Sequence, residues 1–236
     1  MNSIRDYLAA NEARFVDELC AYVRFPSVSA QPNHRADLQA CADWLRQHCQ
    51  AIGLEASLCP TSGHPIVLAR TPRSRGRNKP HYVVYGHYDV QPPEPFELWK
   101  SAPFEPRIEG RSLYGRGASD NKGQHLAHIN AVEAYLRTGT ELPCDLTFVI
   151  EGEEEVGSRS LAEFLKERRQ DLRCEAVVVS DNGMPAPGLP ALTYALRGVA
   201  ALEIKLVGPN RDLHSGIFGG SVDNPAMALC QLLAQM

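Results

Sequence analysis

Three short apolar runs, each ending at or just before histidine or acidic residues, constrain this chain more than any other feature. They cover residues 81–85, 146–150 and 176–179. Their length and β-branched content are typical of buried strands. Parallel strands of an open α/β sheet end on a common edge, and ligands bind in the crevice outside that edge. The polar residues that follow the three runs are therefore expected to converge on one place.

Helical periodicity fills most of the sequence between strand-like runs. One helix is predicted from Ser3 to Pro26 and a second up to Gly53, since proline stops a helix and glycine caps one. Further helices are predicted at about 121–137, at 158–168 and after residue 223, and further β-like runs at 54–59, 66–69, 107–114, 192–196 and 199–207. This alternation predicts an α/β fold, with a mostly parallel mixed sheet flanked by helices.

Composition narrows the class of protein. The chain has 236 residues, of which 44% are hydrophobic and 22% charged, as in ordinary globular proteins. Its net charge of −4 gives no electrostatic case for a nucleic-acid partner. The one basic cluster, between Arg70 and Lys79, is interpreted as a solvated loop.

The cysteine pattern and the length of the apolar runs indicate the expected cellular location. Seven cysteines, an odd number without a C-x-x-C pair, favour a reducing compartment over a disulfide framework, so we expect a cytoplasmic protein. The first fifteen residues lack the apolar core of a signal peptide. No apolar run approaches the roughly 18 residues of a membrane span, so no membrane partner is expected.

His87 and Asp89 follow the first buried run. Residues i and i+2 of an extended segment point the same way, and a metal-binding histidine is commonly oriented by a carboxylate on its other ring nitrogen. Asp89 is therefore either that orienting carboxylate or a second ligand. A histidine at a strand end with an unrelated turn aspartate is the structural alternative.

Two more aspartates occupy turn-like segments. Asp120 lies in GRGASDNKG, whose glycines permit a close approach to an ion, but it also suits the N-cap of the helix that follows. Asp181 follows the third run, and its structural alternative is a turn residue beside Asn182 and Gly183.

An acidic segment follows the second buried run. It contains Glu151, Glu153, Glu154 and Glu155, with no lysine or arginine before Arg159. An acidic run is usually a solvated surface, but here an apolar strand delivers it to the sheet edge. A cation would relieve the repulsion. One glutamate could bind it while its neighbour acts as a general base.

Other catalytic patterns fit less well. His214 lies in RDLHSG and would alone be a surface or capping histidine. A Ser-His-Asp triad lacks its G-x-S-x-G elbow, and neither an H-E-x-x-H motif nor a Walker phosphate loop is present.

Five motifs together resemble the M20 metallopeptidase family, closest to its cytosolic nonspecific dipeptidase and carnosine dipeptidase branch. They are GHYDV at 86–90, GRGASDNKG at 115–123, EEVGS at 154–158, SDN at 180–182 and RDLHSG at 211–216. The resemblance implies a zinc-exopeptidase-like catalytic domain at 1–196 and the start of an α+β lid and dimerisation domain at 197–236.

The resemblance also implies the site. His87 and Asp181 would hold one zinc ion, Asp120 would bridge two, and Glu155 would hold the other, with Mn²⁺ as a possible substitute. Glu154 would be the general base and Asp89 would orient His87. His214 would reach a partner's active site in a homodimer formed through the lid. A cis peptide is expected after Asp120.

Full-length members of that family are about twice as long by resemblance, and a later segment supplies one more metal-binding histidine. Both domains would then be incomplete here, and residues 199–207 would leave an exposed edge. The expected activity is hydrolysis of dipeptides or short peptides, weak or absent in this chain alone. The alternatives are an N-acyl-amino-acid or desuccinylase-type amidohydrolase, and an inactive metal-binding fragment.

Overall fold

The computed structural model describes residues 3–72 and 79–236. The helices of this part are α1 Ile4–Ala10, α2 Glu12–Val23, α3 Arg35–Ile52, α4 Lys122–Thr138, α5 Leu161–Glu167, α6 Ser215–Phe218 and α7 Pro225–Leu233. The strands are β1 Glu55–Cys59, β2 Ile66–Arg70, β3 His81–His87, β4 Arg107–Glu109, β5 Ser112–Tyr114, β6 Asp145–Glu151 and β7 Ala176–Val179.

Five of these strands form a mixed sheet in the order β1-β2-β6-β3-β7. Strand β3 runs parallel to both β6 and β7, whereas β1 and β2 add antiparallel at the other side. Tyr85 lies level with both Val149 and Val179, so the three parallel strands end at the same edge. The predicted α/β class and helix-flanked mixed sheet are confirmed. Strands β4 and β5 form a separate hairpin within the predicted β-like run at 107–114.

The core lies on both faces of this sheet, because successive strand side chains point to opposite sides. On β6, Phe148 and Ile150 pack with residues of α2, α3 and α4. Val149 between them packs on the other face with Phe164 of α5. A strand covered on both faces is apolar on both sides, which explains the largely apolar run at 146–150. Its one polar side chain, Thr147, is buried, and its hydroxyl is paired with the His81 ring at 2.8 Å.

Helix α3 follows its predicted bounds closely. Its buried residues recur at helical spacing and form one face, which packs on the sheet: Leu38, Cys41, Ala42, Leu45, Cys49 and Ile52. Gly53 ends the helix with a φ of 107°, in the left-handed conformation that favours glycine. Helix α4 ends in the same way at Gly139.

The predicted N-terminal helix is divided in two at Asn11. The Asn11 side chain donates to the carbonyl of Tyr7 at 2.8 Å, and Asn11 leaves the helical conformation. A side chain that bonds its own backbone competes with the helix ladder, and periodicity alone does not reveal this competition.

The β-like runs at 192–196 and 199–207 are a wrong prediction, since the structure gives them no strand. Tyr194 is 96% exposed and Val199 93% exposed. Alternating apolar residues form a strand only where another strand pairs with them and a layer covers them. Within the described part of residues 185–236, neither condition is met.

The chain divides into two compact units, Met1–Met184 and Pro185–Met236. The first holds the sheet and helices α1 to α5, and the second holds α6 and α7. Most of the predicted basic loop, residues 73–78, lies outside the described residues. Among the helices that are described, none is both long and apolar enough to cross a membrane.

Candidate metal centre

Strand β3 ends at His87, whose side chain is fully buried. The two nitrogens of the imidazole have different neighbours. Its Nδ1 faces back into the protein, 2.9 Å from the backbone carbonyl oxygen of Asp89 and 3.4 Å from its carboxylate Oδ1. These contacts fix the ring, so that Nε2 points toward the edge where the parallel strands end.

Asp89 links this histidine to the acidic segment. Its carboxylate oxygens accept hydrogen bonds from the backbone N–H groups of Glu154 and Glu155, at 3.2 and 3.1 Å. These two glutamates begin a short 3-10 turn, Glu154–Val156. The free N–H groups at the start of such a turn favour a carboxylate partner. One buried aspartate therefore fixes both the orientation of the imidazole and the backbone position of the two glutamates.

Carboxylates converge on the other side of His87. Its Nε2 lies 3.1 Å from Asp120 Oδ1, 3.4 Å from Asp181 Oδ2 and 4.0 Å from Glu154 Oε2. Two groups, each with ligand atoms all within 4.8 Å of one another, share this imidazole: His87 with Asp120 and Asp181, and His87 with Glu154 and Glu155. The structure thus brings the five residues predicted from scattered strand ends together.

The pKa values in this cluster reflect burial and crowded charge. Burial lowers the pKa of His87, but Asp89 and Asp181 raise it by more, to about 9. Burial and the neighbouring carboxylates raise the pKa of both Glu154 and Glu155, although His87 opposes the shift. A cation would lower all of these pKa values by stabilising the deprotonated forms.

The donor set fits a divalent cation. Asp120, Glu154, Glu155 and Asp181 surround one imidazole, and no lysine or arginine in residues 3–72 and 79–236 forms an ion pair with any of them. One histidine cannot balance four carboxylates. Imidazole nitrogen together with carboxylate oxygen is a ligand set of zinc and of other first-row metals.

Asn121 is a functional candidate that the sequence prediction missed. It is 1% exposed, and its side chain joins the ends of β3 and β7: its Oδ1 accepts from the His87 N–H, and its Nδ2 donates to Asp181. Two sequence signals could have indicated Asn121. It directly follows Asp120, and it lies four residues, or one helical turn, before His125.

Two structural alternatives for the acidic residues are resolved. Asp120 does not cap the helix, because the N-cap of α4 is Asn121. Glu151 is not a solvated surface residue, because it is 2% exposed and its Oε1 accepts hydrogen bonds from Tyr85 at 2.6 Å and from Ser158 at 2.7 Å. The expected cis peptide between Asp120 and Asn121 is confirmed.

His214 belongs to the second unit. It is the N-cap residue of α6, where its Nδ1 accepts a hydrogen bond from the Gly216 N–H at 3.0 Å. This is the capping arrangement that the sequence allowed for. Its predicted catalytic role stays a prediction.

The sheet and the cluster at its edge make this an α/β protein with a candidate divalent-metal centre. Residues 83–215 match the profile of Peptidase family M20/M25/M40, which is more than half of the chain. The chain therefore belongs to this metallopeptidase family, as its motifs indicated.

Curated relatives and solved structures agree with this assignment. The Cys-Gly metallodipeptidase DUG1 of Candida albicans is 33% identical over 98% of this chain, and the Beta-Ala-His dipeptidase of Rattus norvegicus is 32% identical over 100% of it. Both matches cover 51% of the relative, so the chain spans about half the length of these curated relatives.

The dipeptidase Dug1p of Saccharomyces cerevisiae superimposes with a TM-score of 0.79 at 30% identity. Human carnosine dipeptidase 1 superimposes with a TM-score of 0.78, also at 30% identity. Each match covers 98% of this chain and 51% of the solved chain.

Proposed function

We propose that this chain carries the catalytic half-site of a metal-dependent dipeptidase that hydrolyses dipeptides and short peptides. The observation that supports the proposal is the buried imidazole of His87, whose outward nitrogen meets carboxylates from three separate segments of the chain. Such a set has little structural use without a cation, because crowded carboxylates repel one another.

We assign two zinc ions to the site, with Mn²⁺ as an alternative. His87 and Asp181 would hold one ion, Asp120 would be shared, and Glu155 would hold the other. When bound, the cations supply Lewis acidity, which polarises a carbonyl and acidifies water. Asp89 contributes by holding the His87 ring and the Glu155 backbone in place.

Glu154 is the proposed general base. Its backbone is fixed by Asp89, while its side chain is 37% exposed and therefore accessible to water and substrate. Burial raises the pKa of its carboxyl group, which favours proton uptake, whereas a bound cation would act in the opposite direction. In the proposed step, a Glu154 carboxylate oxygen takes a proton from the attacking water and then delivers it to the nitrogen of the leaving amine.

We also propose the substrates, the assembly and the cellular location, of which only the substrates are suggested by the names of the relatives. Cys-Gly and β-Ala-His are suitable test substrates, because the relatives are named for them. His214 would act on a substrate in the partner's site of a homodimer formed through the second unit. The location proposed for the protein is the cytoplasm.

Calorimetry with Mn²⁺ or Zn²⁺ on the 236-residue chain tests the site first. Hydrolysis is then measured for the chain alone, where a low rate is expected, and for a fusion to the half of the S. cerevisiae relative that the match leaves uncovered. We expect Glu154→Gln to bind metal and to lose hydrolysis in that fusion. Equal turnover by the variant and its parent would disprove the general-base role, and a chain that binds no metal would disprove the site.

A further inference from the structure

A buried chain of hydrogen bonds runs behind the metal centre, and the proposed reaction does not use it directly. It starts at Asp181, passes through Asn121 and His125, and ends at Tyr22 of α2. Each of the last three side chains is at most 1% exposed. Buried polar groups are costly unless every member is paired, so their arrangement is expected to be specific.

The donor and the acceptor of each hydrogen bond from Asp181 to Tyr22 can be derived from one backbone group. The His87 N–H is a donor, so the Asn121 side-chain atom 3.3 Å from it must be the oxygen. The amide nitrogen of Asn121 then faces Ser180 O and Asp181 Oδ1, both at 3.2 Å and both acceptors. The opposite amide orientation would set two donors against each other and two acceptors against each other.

The same logic fixes His125. Its Nδ1 lies 3.1 Å from Asn121 Oδ1, which only accepts, so Nδ1 carries the proton. Burial, together with the nearby His87 and Lys122, keeps the pKa of His125 well below its usual range, so the ring is neutral. Its Nε2 is then an acceptor, and the Tyr22 hydroxyl donates to it at 3.0 Å.

We propose that Asn121 is a positioning residue for Asp181, and that His125 and Tyr22 hold the Asn121 amide in the one orientation that serves this purpose. Asn121 acts on strand β3 through the His87 N–H and on the end of β7 through Asp181 and Ser180. It thereby fixes the separation between two predicted ligands that come from different strands. The role in metal binding rests on the proposed function, whereas the polarity of the hydrogen-bond chain does not.

The polarity is tested on the metal-free chain by long-range ¹H–¹⁵N correlation spectra of its histidines. We expect His125 to be neutral with its proton on Nδ1, and we expect that signal to be protected from solvent exchange. A proton on Nε2, or a rapidly exchanging ring, would overturn the proposed chain. This measurement involves no metal and no activity.

The positioning role is tested by Asn121→Asp, measured as Mn²⁺ or Zn²⁺ affinity by calorimetry. The new carboxylate cannot donate to Asp181 and repels it, so affinity should fall by about 10–100-fold, as is typical for partners of metal ligands. Asn130→Asp is the matched control, because Asn130 is a buried asparagine of the same helix. It should retain the affinity of the parent chain.

A second pair, Asn121→Ser and Asn130→Ser, decides the question if the aspartate variant does not fold. Loss of the amide donor should again weaken binding, whereas parental affinity in Asn121→Ser would overturn the positioning role. If the parent chain binds neither metal, the proposed function fails, and the histidine spectra still decide the polarity of the chain.

Discussion

The two sides of the His87 imidazole differ in how their charges are satisfied. On the inner side, each oxygen of the Asp89 carboxylate accepts a backbone N–H and the ring rests against it, so the protein itself supplies the partners. On the outer side, Asp120 and Asp181 face the ring without a lysine or arginine partner among the described residues. The charges of the inner side are paired within the fold, whereas the outer carboxylates are the proposed ligands of a cation.

Structural and functional carboxylates in one acidic cluster therefore differ in burial and in hydrogen-bond partners. A carboxylate that is buried and fully paired, such as Asp89, positions its neighbours. A half-exposed carboxylate that crowds others of its kind is instead a candidate cation ligand, because a bound cation would offset the repulsion between the crowded charges. Asp120, whose side chain is 62% exposed, fits the second description, in line with its proposed role.

The largest expected effect is that of His87→Ala. His87 belongs to both candidate ligand groups and is the proposed imidazole ligand of the ion that it shares with Asp181. Its removal should abolish binding of Mn²⁺ or Zn²⁺ at that position, a greater loss than the roughly 10–100-fold typical of outer partners. Calorimetry on the chain measures this effect. His34→Ala is the control, since His34 forms a comparable histidine–aspartate pair with Asp37 away from the site. Tight binding that survives in His87→Ala would show that the outer carboxylates act without the ring.

The next effect is on the pH dependence of stability in the metal-free chain. The pKa of His87 is about 9 in the folded state and 6.5 without the fold, so the folded state binds the proton more tightly. The contribution of His87 to the free energy of unfolding is complete below pH 6.5 and is lost as pH rises through 9. The free energy of unfolding should fall by about 3 kcal/mol at most over that range.

Chemical denaturation at a series of pH values measures this dependence, and His87→Gln should flatten it. Added metal should act in the opposite direction, because a ligating histidine must first release its proton, so metal stabilisation grows as pH rises. A profile of the parent chain that stays flat between pH 6.5 and 9 would show that the carboxylates do not hold a proton on His87.

A smaller effect is expected from Asp89→Asn, which changes the inner side alone. The amide offers one oxygen where the carboxylate offers two, so one of the Glu154 and Glu155 N–H groups loses its acceptor. The charge behind His87 also disappears. Metal affinity should fall by about 10–100-fold. Asp37→Asn provides the control at the surface pair, and equal affinities for the two variants would refute a supporting role for Asp89.

The sheet and the outer carboxylates were predictable because their signals are local. An apolar run that ends in histidine or acidic residues indicates both a strand and the edge at which it stops. Residues 81–85 and 146–150 became β3 and β6 with only one or two residues of difference at their ends.

The sequence predictions failed where contacts with residues distant in the sequence determine the structure. The run at 199–207 has a strand-like pattern, but strand formation needs a neighbour that periodicity cannot supply. Asn121 escaped notice because asparagine beside an aspartate suits any turn. Only the structure shows that its amide spans from β3 to β7, through His87 and Asp181.

Gln91→Met should have the smallest effect on metal affinity, and it tests whether an exposed partner of Glu155 matters as much as the buried Asp89. Gln91 donates to Glu155 Oε2 at 2.8 Å, but its side chain is exposed, so water can replace the bond. Such an exchange is worth roughly 1 kcal/mol or less, so metal affinity should change by less than about fivefold. Calorimetry beside the Asp89→Asn variant gives the comparison. A loss as large as that of Asp89→Asn would mean that Glu155 depends on its exposed partner as much as on its buried one, and the contrast between the two sides of His87 would then not extend to Glu155.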